Sequence, residues 1–215
     1  MSKRAFPRFV VSLAASLLVL AVLLLLMNKR AQSDLPPGDD PLQAAFWPAP
    51  DFLLSDQASQ PTTLEDLRGR VWVADFFFTS CPGICPILAE KMRWLSDEIA
   101  DHPERSAMRL VSFSLDPQRD TVEVLSDYAE AVGATPDRWL FLTGTDRRDT
   151  WELSNEGFKL AVADTPQDPV NPISHTGKMV LVDRRGDIRG YYDGLTAAGV
   201  KDLKRDLLRL VEQDL

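Results

Sequence analysis

The segment from Arg70 to Phe78, RVWVADFFF, is a nearly continuous apolar run rich in valine and aromatic residues. This pattern predicts a strand buried on both faces, as found in the centre of a sheet that is covered by helices. After a turn rich in proline and glycine, apolar residues recur every three or four positions from Ile87 to Ala100, which predicts a helix that starts near Cys85. A doubly buried strand needs covering layers, so it restricts the chain to a layered α/β fold.

Periodic apolar patterns continue to the end of the chain. They predict strands at Met108–Leu115 and Trp139–Leu142, a hairpin of Lys178–Val182 with Ile188–Tyr192, and helices at 120–133, 146–155 and 203–211. Asp120 and Glu123 stand three apart before the second helix and are interpreted as its N-cap and an acid in its first turn. The order of these elements predicts an α/β sheet with helices on its faces.

From Phe9 to Met27 the chain runs 19 residues without a charge. As a helix this run would span about 28 Å, which matches the hydrocarbon thickness of a bilayer. A cleaved signal peptide is the alternative, but it would need a shorter apolar stretch and a small-residue cleavage site, and a polar, basic segment follows here. Residues 1–30 are therefore predicted to be an uncleaved N-terminal membrane anchor, with a transmembrane helix over residues 9–27.

Basic residues flank this run unevenly. Lys3, Arg4, Arg8 and the terminal amine precede it, and only Lys29 and Arg30 follow it. The excess on the N-terminal side predicts a cytoplasmic N-terminus and an exported remainder. Because the basic segment is too short for a mitochondrial transit peptide, we expect a single-pass protein of a bacterial cytoplasmic membrane, with its domain on the periplasmic side.

Residues 31–50 are rich in proline and acid and lack helical or strand periodicity, which is typical of a tether. Residues 51–215 are long enough for one domain with a full hydrophobic core. Residues 31–215 hold 19 of the 24 basic residues and all 32 acidic ones, a net charge of −13. A domain this acidic repels polyanions, so nucleic acid is not expected as a partner.

Both cysteines of the chain, Cys81 and Cys85, lie where the first predicted strand leads into the first helix. Open α/β folds bind ligands at this edge of the sheet, and a helix N-terminus stabilises a thiolate. Inside a helix the two side chains would be too far apart for a disulfide, so Cys81 is expected in the loop. Three interpretations of the pair are open: a structural disulfide, a redox-active dithiol or part of a soft-metal site. The structural disulfide is disfavoured because closing so short a loop stabilises the fold little.

A metal site with two sulfurs usually recruits a nitrogen ligand, and the chain has two histidines. His102 stands among charged residues and is interpreted as a solvated helix end. His175 lies in a loop before the predicted hairpin, 90 residues after Cys85, and is either structural or a metal ligand. Met92 and Met179 follow the apolar spacing of their elements and are assigned to the core.

Four stretches of the chain together form a recognisable sequence pattern. They are DFFFTSCPGICPILAEKM around the cysteines, LDPQRDT from Leu115, ISHTGKMVLVD from Ile173 and YYDG from Tyr191. Together they resemble the Sco/SenC family of membrane-anchored copper proteins. A Cys-x-x-x-Cys pair alone is a weak pattern, but with flanking prolines, the DPQRDT segment and a single downstream histidine it is fairly specific.

The resemblance implies a thioredoxin-like fold in which Cys81, Cys85 and His175 bind one copper ion, as copper(I) or copper(II). It also implies a role in loading the dinuclear copper centre of cytochrome c oxidase subunit II, with a possible reduction of the target cysteines. A disulfide would block both sulfurs, so loading is expected to need a separate thiol reductant of the thioredoxin type.

Two positions depart from the family pattern. Family members often carry aspartate between the cysteines, where this chain has Gly83, and aspartate before the histidine, where it has Ser174. Losing an acid beside two thiolates favours their ionised form. Outside the ligands, Asp116 is expected to end a strand, and Arg119 to form a surface ion pair.

A different class of function uses the same dithiol. An extracytoplasmic thiol:disulfide oxidoreductase normally shows Cys-x-x-Cys, and a peroxidase of the peroxiredoxin type usually has threonine three positions before its reactive cysteine, whereas Thr79 is two before Cys81. The spacing in this chain differs from each of these two patterns by one residue. These enzymes, and a redox sensor, remain the alternatives to a copper chaperone.

Overall fold

The computed structural model describes residues 42, 44–168 and 170–213. A compact unit begins at Ala44 and contains the cysteines and both histidines. The predicted transmembrane helix and residues 31–41 and 43 of the predicted tether lie outside the described residues. Within the described part of the chain, the helices are too short or too polar to span a bilayer.

Strands and helices alternate through the first half of this unit. The strands are β1 (Leu53–Asp56), β2 (Pro61–Thr63), β3 (Val71–Phe77), β4 (Met108–Ser114), β5 (Trp139–Thr143), β6 (Val162–Asp164), β7 (Ile173–His175), β8 (Lys178–Val182) and β9 (Ile188–Asp193). The helices are α1 (Leu64–Leu67), α2 (Cys85–Ile99), α3 (Val122–Ala131), α4 (Arg147–Glu152) and α5 (Ala197–Gln213). A 3₁₀ turn at Arg105–Ala107 precedes β4, and a π-helical turn at Leu153–Gly157 follows α4.

Seven of the described strands form one mixed sheet in the order β2-β1-β5-β4-β3-β8-β9. The three central strands β3, β4 and β5 are parallel, and the outer strands pair antiparallel. The two crossovers that contain α2 and α3 step in the same direction across the sheet, so right-handed connections place both helices on one face. The predicted α/β sheet with helices is therefore confirmed.

The apolar run that predicted the central strand is buried along its whole length in β3. Its aromatic side chains alternate between two layers, because successive strand residues point to opposite faces. On one face the ring of Phe76 stacks on Phe113, with centroids 5.2 Å apart. On the other face Phe77 contacts Tyr128 of α3 at 5.4 Å. The two aromatic layers hold β3 rigidly beneath the loop that carries the cysteines.

The chain enters the compact unit along the edge strand β9. The Phe46 amide donates to the Ile188 carbonyl at 2.9 Å, and the Ala49 amide donates to the Gly186 carbonyl at 2.7 Å. These residues belong to the segment predicted as a tether. Their backbone groups pair because β9 is an open sheet edge, a long-range feature that periodicity within 31–50 does not report.

Two further local predictions differ from the structure. The N-cap of α3 is Thr121, whose hydroxyl accepts a hydrogen bond from the Val124 amide, so the assignment of Asp120 as the cap is wrong. Asp120 is buried and instead accepts hydrogen bonds from Thr79, in the loop after β3, and from Ser114, at the end of β4. His175 lies at the end of strand β7 rather than in a loop, and β7 pairs with β6 as a separate two-stranded sheet.

Candidate metal centre

The two cysteines lie on either side of the start of a helix. Strand β3 ends at Phe77 and α2 begins at Cys85, so Cys81 lies in the connecting loop and Cys85 is the first helical residue. Cys81 is 7% exposed and Cys85 is 2% exposed, and both are free thiols. The prediction that Cys81 sits outside the helix is confirmed.

Hydrogen bonds make the two thiols unequal. The Cys85 side chain is the strongest influence that lowers the pKa of Cys81, to about 4, and backbone groups of Cys85 and Gly83 also hydrogen-bond to its sulfur. The same hydrogen bond raises the pKa of Cys85, and burial raises it further. The pair therefore holds one proton at neutral pH, with Cys81 as the thiolate and Cys85 as the S–H donor.

His175 reaches the cysteine pair from the small sheet of β6 and β7. Its Nε2 atom lies 3.3 Å from the sulfur of Cys85, although 90 residues separate the two in sequence. One ligand atom from each of Cys81, Cys85 and His175 lies within 4.8 Å of the others. The structure thus brings the three predicted residues together.

Two contacts orient the imidazole ring of His175. Its Nδ1 lies 3.1 Å from the carbonyl oxygen of Thr176, and a carbonyl only accepts, so Nδ1 carries the proton in the neutral ring. Nε2 then presents its lone pair to the sulfurs, the arrangement typical of metal-ligating histidines. The ring also packs edge to face against Phe78, with centroids 5.8 Å apart. Neither contact involves Ser174, whose side chain is exposed, so this orientation does not need an acid at position 174.

The donor set suits a soft transition metal. Ligand atoms that share an ion at about 2.0–2.3 Å stand about 3.5–4 Å from one another, so small side-chain movements would bring these three donors to coordination distance. Two sulfurs and one imidazole are typical of copper or zinc sites. Because a metal ligand must be deprotonated, binding would release the proton of the Cys85 thiol.

The other residues considered as ligands lie elsewhere. His102 follows α2, and its Nδ1 accepts a hydrogen bond from the Glu104 amide at 3.1 Å. Met92 and Met179 are fully buried in the core, in agreement with the assignment to packing. Arg119 is mostly exposed and lies 3.7 Å from Asp116, so it forms an ion pair as predicted, but the partner carboxylate is buried rather than at the surface.

A buried acid in the sheet was missed. Asp75 is 2% exposed, and burial raises its pKa to about 6, although a hydrogen bond from Ser112 opposes the increase. The Ser112 hydroxyl also accepts a hydrogen bond from the indole of Trp139 at 2.9 Å. The signal was present in the sequence, because Asp75 is a lone acid inside the apolar run of β3.

A cavity of about 350 Å³ opens on the cysteine pair between α2 and α3. Its lining includes both cysteines together with Thr79, Arg93 and Tyr128. Burial raises the pKa of Tyr128, and the negative charges of the cysteine pair and Asp75 raise it further, so the phenol stays protonated. The cavity offers a route by which a small ion or a thiol can reach otherwise buried sulfurs.

Comparison with known proteins identifies the family of this chain. The model of the SCO1/SenC family matches residues 42–212. A SCO1 protein homolog from Bacillus subtilis is 31% identical over 168 residues, which cover 78% of this chain and 83% of the relative.

Solved structures share the fold. BsSco, described with a disulfide switch as a member of the Sco family of cytochrome c oxidase assembly proteins, is 28% identical with a TM-score of 0.68, covering 79% of this chain and 96% of its own. Bradyrhizobium japonicum ScoI with copper bound is 21% identical with a TM-score of 0.63, covering 75% of this chain and 98% of its own, and this likeness concerns the fold alone. The fold is thus the thioredoxin-like α/β fold of Sco proteins, and the chain belongs to the SCO1/SenC family.

Proposed function

We propose that this chain is a membrane-anchored copper chaperone that helps to assemble the dinuclear copper centre of cytochrome c oxidase subunit II. The observation that carries the proposal is the convergence of two sulfurs and one imidazole nitrogen within 4.8 Å. Membership of the SCO1/SenC family supports copper as the cargo, because the four sequence stretches resemble a family of copper proteins. BsSco supports the link to cytochrome c oxidase assembly.

One copper ion would be held per domain. Cys81 is already ionised and Cys85 loses its proton on binding, so the two thiolates supply the soft ligands that copper(I) prefers. The Nε2 atom of His175 adds a nitrogen ligand, which helps the same site to accept copper(II). Three ligands leave a coordination position open, through which a target thiol can take over the ion.

The proposed location follows from the N-terminal sequence. Residues 9–27 would cross the bacterial cytoplasmic membrane once and hold the domain on the periplasmic side, beside the membrane-bound oxidase. Cysteines oxidise in that compartment, so a thioredoxin-type reductant is proposed as a second partner that restores the free thiols. Protease added to spheroplasts should digest the domain, and protection would contradict this topology.

An anaerobic copper titration of the reduced full chain in detergent tests the proposal. We expect one equivalent of copper(I) to bind with two sulfur ligands by X-ray absorption. Cells that lack the protein should lose oxidase activity, and added copper should partly restore it. Complementation with Cys81→Ser should fail, while His102→Ala should complement fully. Binding without sulfur ligands, or normal oxidase levels in the deleted strain, would contradict the proposal.

A second candidate is a thiol:disulfide oxidoreductase. The lowered pKa of Cys81 and the cavity that opens on its sulfur favour this function, because a thiolate attacks disulfides. Cys81 would attack the substrate disulfide, and Cys85 would resolve the mixed disulfide, so that two electrons pass to the substrate. An oxidoreductase should turn over a model disulfide, and His175→Ala should leave that rate largely intact.

A further inference from the structure

Arg147, the first residue of α4, makes two ion pairs that point toward different parts of the metal site. Its Nη2 donates to Oδ1 of Asp116 at 2.9 Å, and its Nη1 donates to Oδ1 of Asp164 at 3.1 Å. The side chain of Asp116 is 3% exposed, whereas that of Asp164 is 62% exposed. One guanidinium therefore joins a buried carboxylate to the edge of the small sheet.

The Asp116 side of this bridge leads to the cysteines. Asp116 lies in the loop after β4, and Asp120 in the same loop accepts hydrogen bonds from the amide and the hydroxyl of Thr79. Asp120 also accepts from the Ser114 hydroxyl at 2.6 Å. Thr79 stands two residues before Cys81, so these contacts attach the loop to the cysteine-bearing turn.

The Asp164 side leads to the histidine. Asp164 ends β6, which pairs antiparallel with β7 in the register Asp164 to Ile173 and Val162 to His175. Each strand has three residues, and the pair is separate from the seven-stranded sheet. A two-stranded ribbon this short is marginal by itself, so its position depends on contacts from outside.

The guanidinium is itself held in place. It lies over the ring of Trp151, 5.4 Å from the centroid, and the indole N–H of Trp151 donates to the Leu115 carbonyl at 2.9 Å. An arginine can span two carboxylates in this way because its planar head presents several donors in a fixed geometry. A lysine at this position would reach only one of them.

We propose that Arg147 is a positioning residue that sets His175 against the cysteine pair by clamping Asp164 of β6 to Asp116. The proposal rests on the proposed metal site, but it concerns the placement of the histidine strand in the protein itself. Asn155 supplies a second restraint, since its side chain bonds both backbone groups of Val162. Among the hydrogen bonds of the described residues, those of Arg147 tie β6 to the loop that is attached to the cysteines.

The first test uses the metal-free full chain in detergent. In ¹H–¹⁵N spectra of the histidine rings, the wild-type His175 ring should show one neutral tautomer with the proton on Nδ1. Arg147→Met should shift and broaden the Nε2 signal, which reports on the Cys85 sulfur 3.3 Å away, and Asp164→Asn, which breaks only the histidine side at an exposed residue, should do so partly. Arg148→Met is the matched control, because Arg148 is the adjacent exposed arginine.

The second test uses copper(II) as the probe. Arg147→Met should weaken copper(II) binding by about 10–100-fold, as is typical when an outer partner of a ligand is lost, and shift the sulfur-to-copper absorption. Arg147→Lys should recover part of the affinity. In a His175→Ala background, which still binds copper(I), Arg147→Met should leave the copper(I) affinity unchanged, because the residue acts through the histidine.

Wild-type ring spectra in both Arg147→Met and Asp164→Asn would overturn the proposal. So would a loss of copper(I) affinity on adding Arg147→Met to the His175→Ala background, since Arg147 would then act on general stability. If the wild-type chain binds no copper, the proposed function fails, and the ring spectra of the metal-free protein still decide the role of Arg147.

Discussion

Two regions supply ligands to the same site but are built in different ways. They are the cysteine turn, which runs from the end of β3 to Cys85, and the histidine strand, which is β7. Cys81 and Cys85 stand four positions apart at the junction of a fully buried strand and a helix of 15 residues. His175 ends a three-residue strand whose only described sheet partner is the equally short β6. The sulfurs therefore rest on the core, whereas the imidazole rests on a small sheet and a few polar contacts.

This difference separates two properties of the site. The cysteine turn determines whether a soft ion binds, because thiolates provide most of the affinity for copper(I). The histidine strand completes the coordination shell of the ion, because it adds the nitrogen ligand that copper(II) needs. Changes in the two regions should thus have distinct signatures, and the predictions below test that separation.

The largest expected effect is the loss of a sulfur. Cys85→Ser should weaken copper(I) binding by more than about 100-fold, which exceeds the cost of losing an outer partner. His175→Ala should keep the fold and lower copper(I) affinity by less than about 10-fold, while copper(II) is reduced or lost. Titrations of the reduced protein with each ion check both variants.

The remaining histidine is the control for that comparison. His102→Ala should leave both titrations unchanged, because His102 lies beyond the end of α2 and contacts the Glu104 amide. Equal losses in His102→Ala and His175→Ala, or unaltered copper(II) spectra in His175→Ala, would remove His175 from the site.

The next effect concerns thiol reactivity. Because the pKa of Cys81 is lowered to about 4 chiefly by the Cys85 side chain, alkylation of Cys81 should be nearly independent of pH from 6 to 8 and at least about 10-fold faster than that of Cys85. Mass spectrometry after brief iodoacetamide treatment measures both rates. His175→Ala should preserve this pH profile, since the histidine lowers the pKa of Cys81 less than the Cys85 side chain does. Cys85→Ala should make the alkylation rate of Cys81 pH-dependent. A profile that changes only in His175→Ala would reverse the assigned roles.

A smaller effect is expected in the strand beneath the cysteines. Burial raises the pKa of Asp75 from 3.8 to about 6, so the folded protein holds this proton more tightly than the unfolded chain. The free energy of unfolding should therefore fall as the pH rises from about 4 to about 6, and it should stay at this lower level above pH 6. Asp75→Asn should raise the free energy of unfolding by about 1–3 kcal/mol at pH 7 and leave it unchanged at pH 3.

Urea unfolding at several pH values measures this difference. The matched control is Asp97→Asn, which replaces an exposed acid on α2 and should change little at any pH. A destabilised Asp75→Asn at pH 7 would show that the carboxylate is stabilised in the fold rather than penalised by burial.

The smallest effect separates stability from ligand placement. Thr121→Ala removes the hydroxyl that caps α3 and should cost about 1 kcal/mol of stability. Neither ligand region contacts this hydroxyl in the hydrogen bonds described, so copper(I) and copper(II) affinities should stay at wild-type values. A selective loss of copper(II) in Thr121→Ala would mean that the histidine strand responds to global stability rather than to its own contacts.

Local patterns in the sequence predicted the cysteine side of the site. The apolar run of β3, the three-and-four spacing in α2 and the position of Cys81 outside the helix all agree with the structure. Each of these features depends on residues close in sequence, because backbone hydrogen bonding and burial set the periodicity. The short elements β1, β2 and α1 were missed because three or four residues carry too little periodicity to detect.

The histidine side was decided by the tertiary structure. The sequence by itself determined that a thiol pair stands at the end of a buried strand, and the family resemblance suggested His175 as its partner. Only the tertiary packing places Nε2 of His175, on a separate two-stranded sheet, 3.3 Å from the sulfur of Cys85, and makes Asp120 a buried acceptor and Arg147 a bridge. The physical reason is that such contacts join segments far apart in sequence, so no local pattern of apolar and polar residues records them.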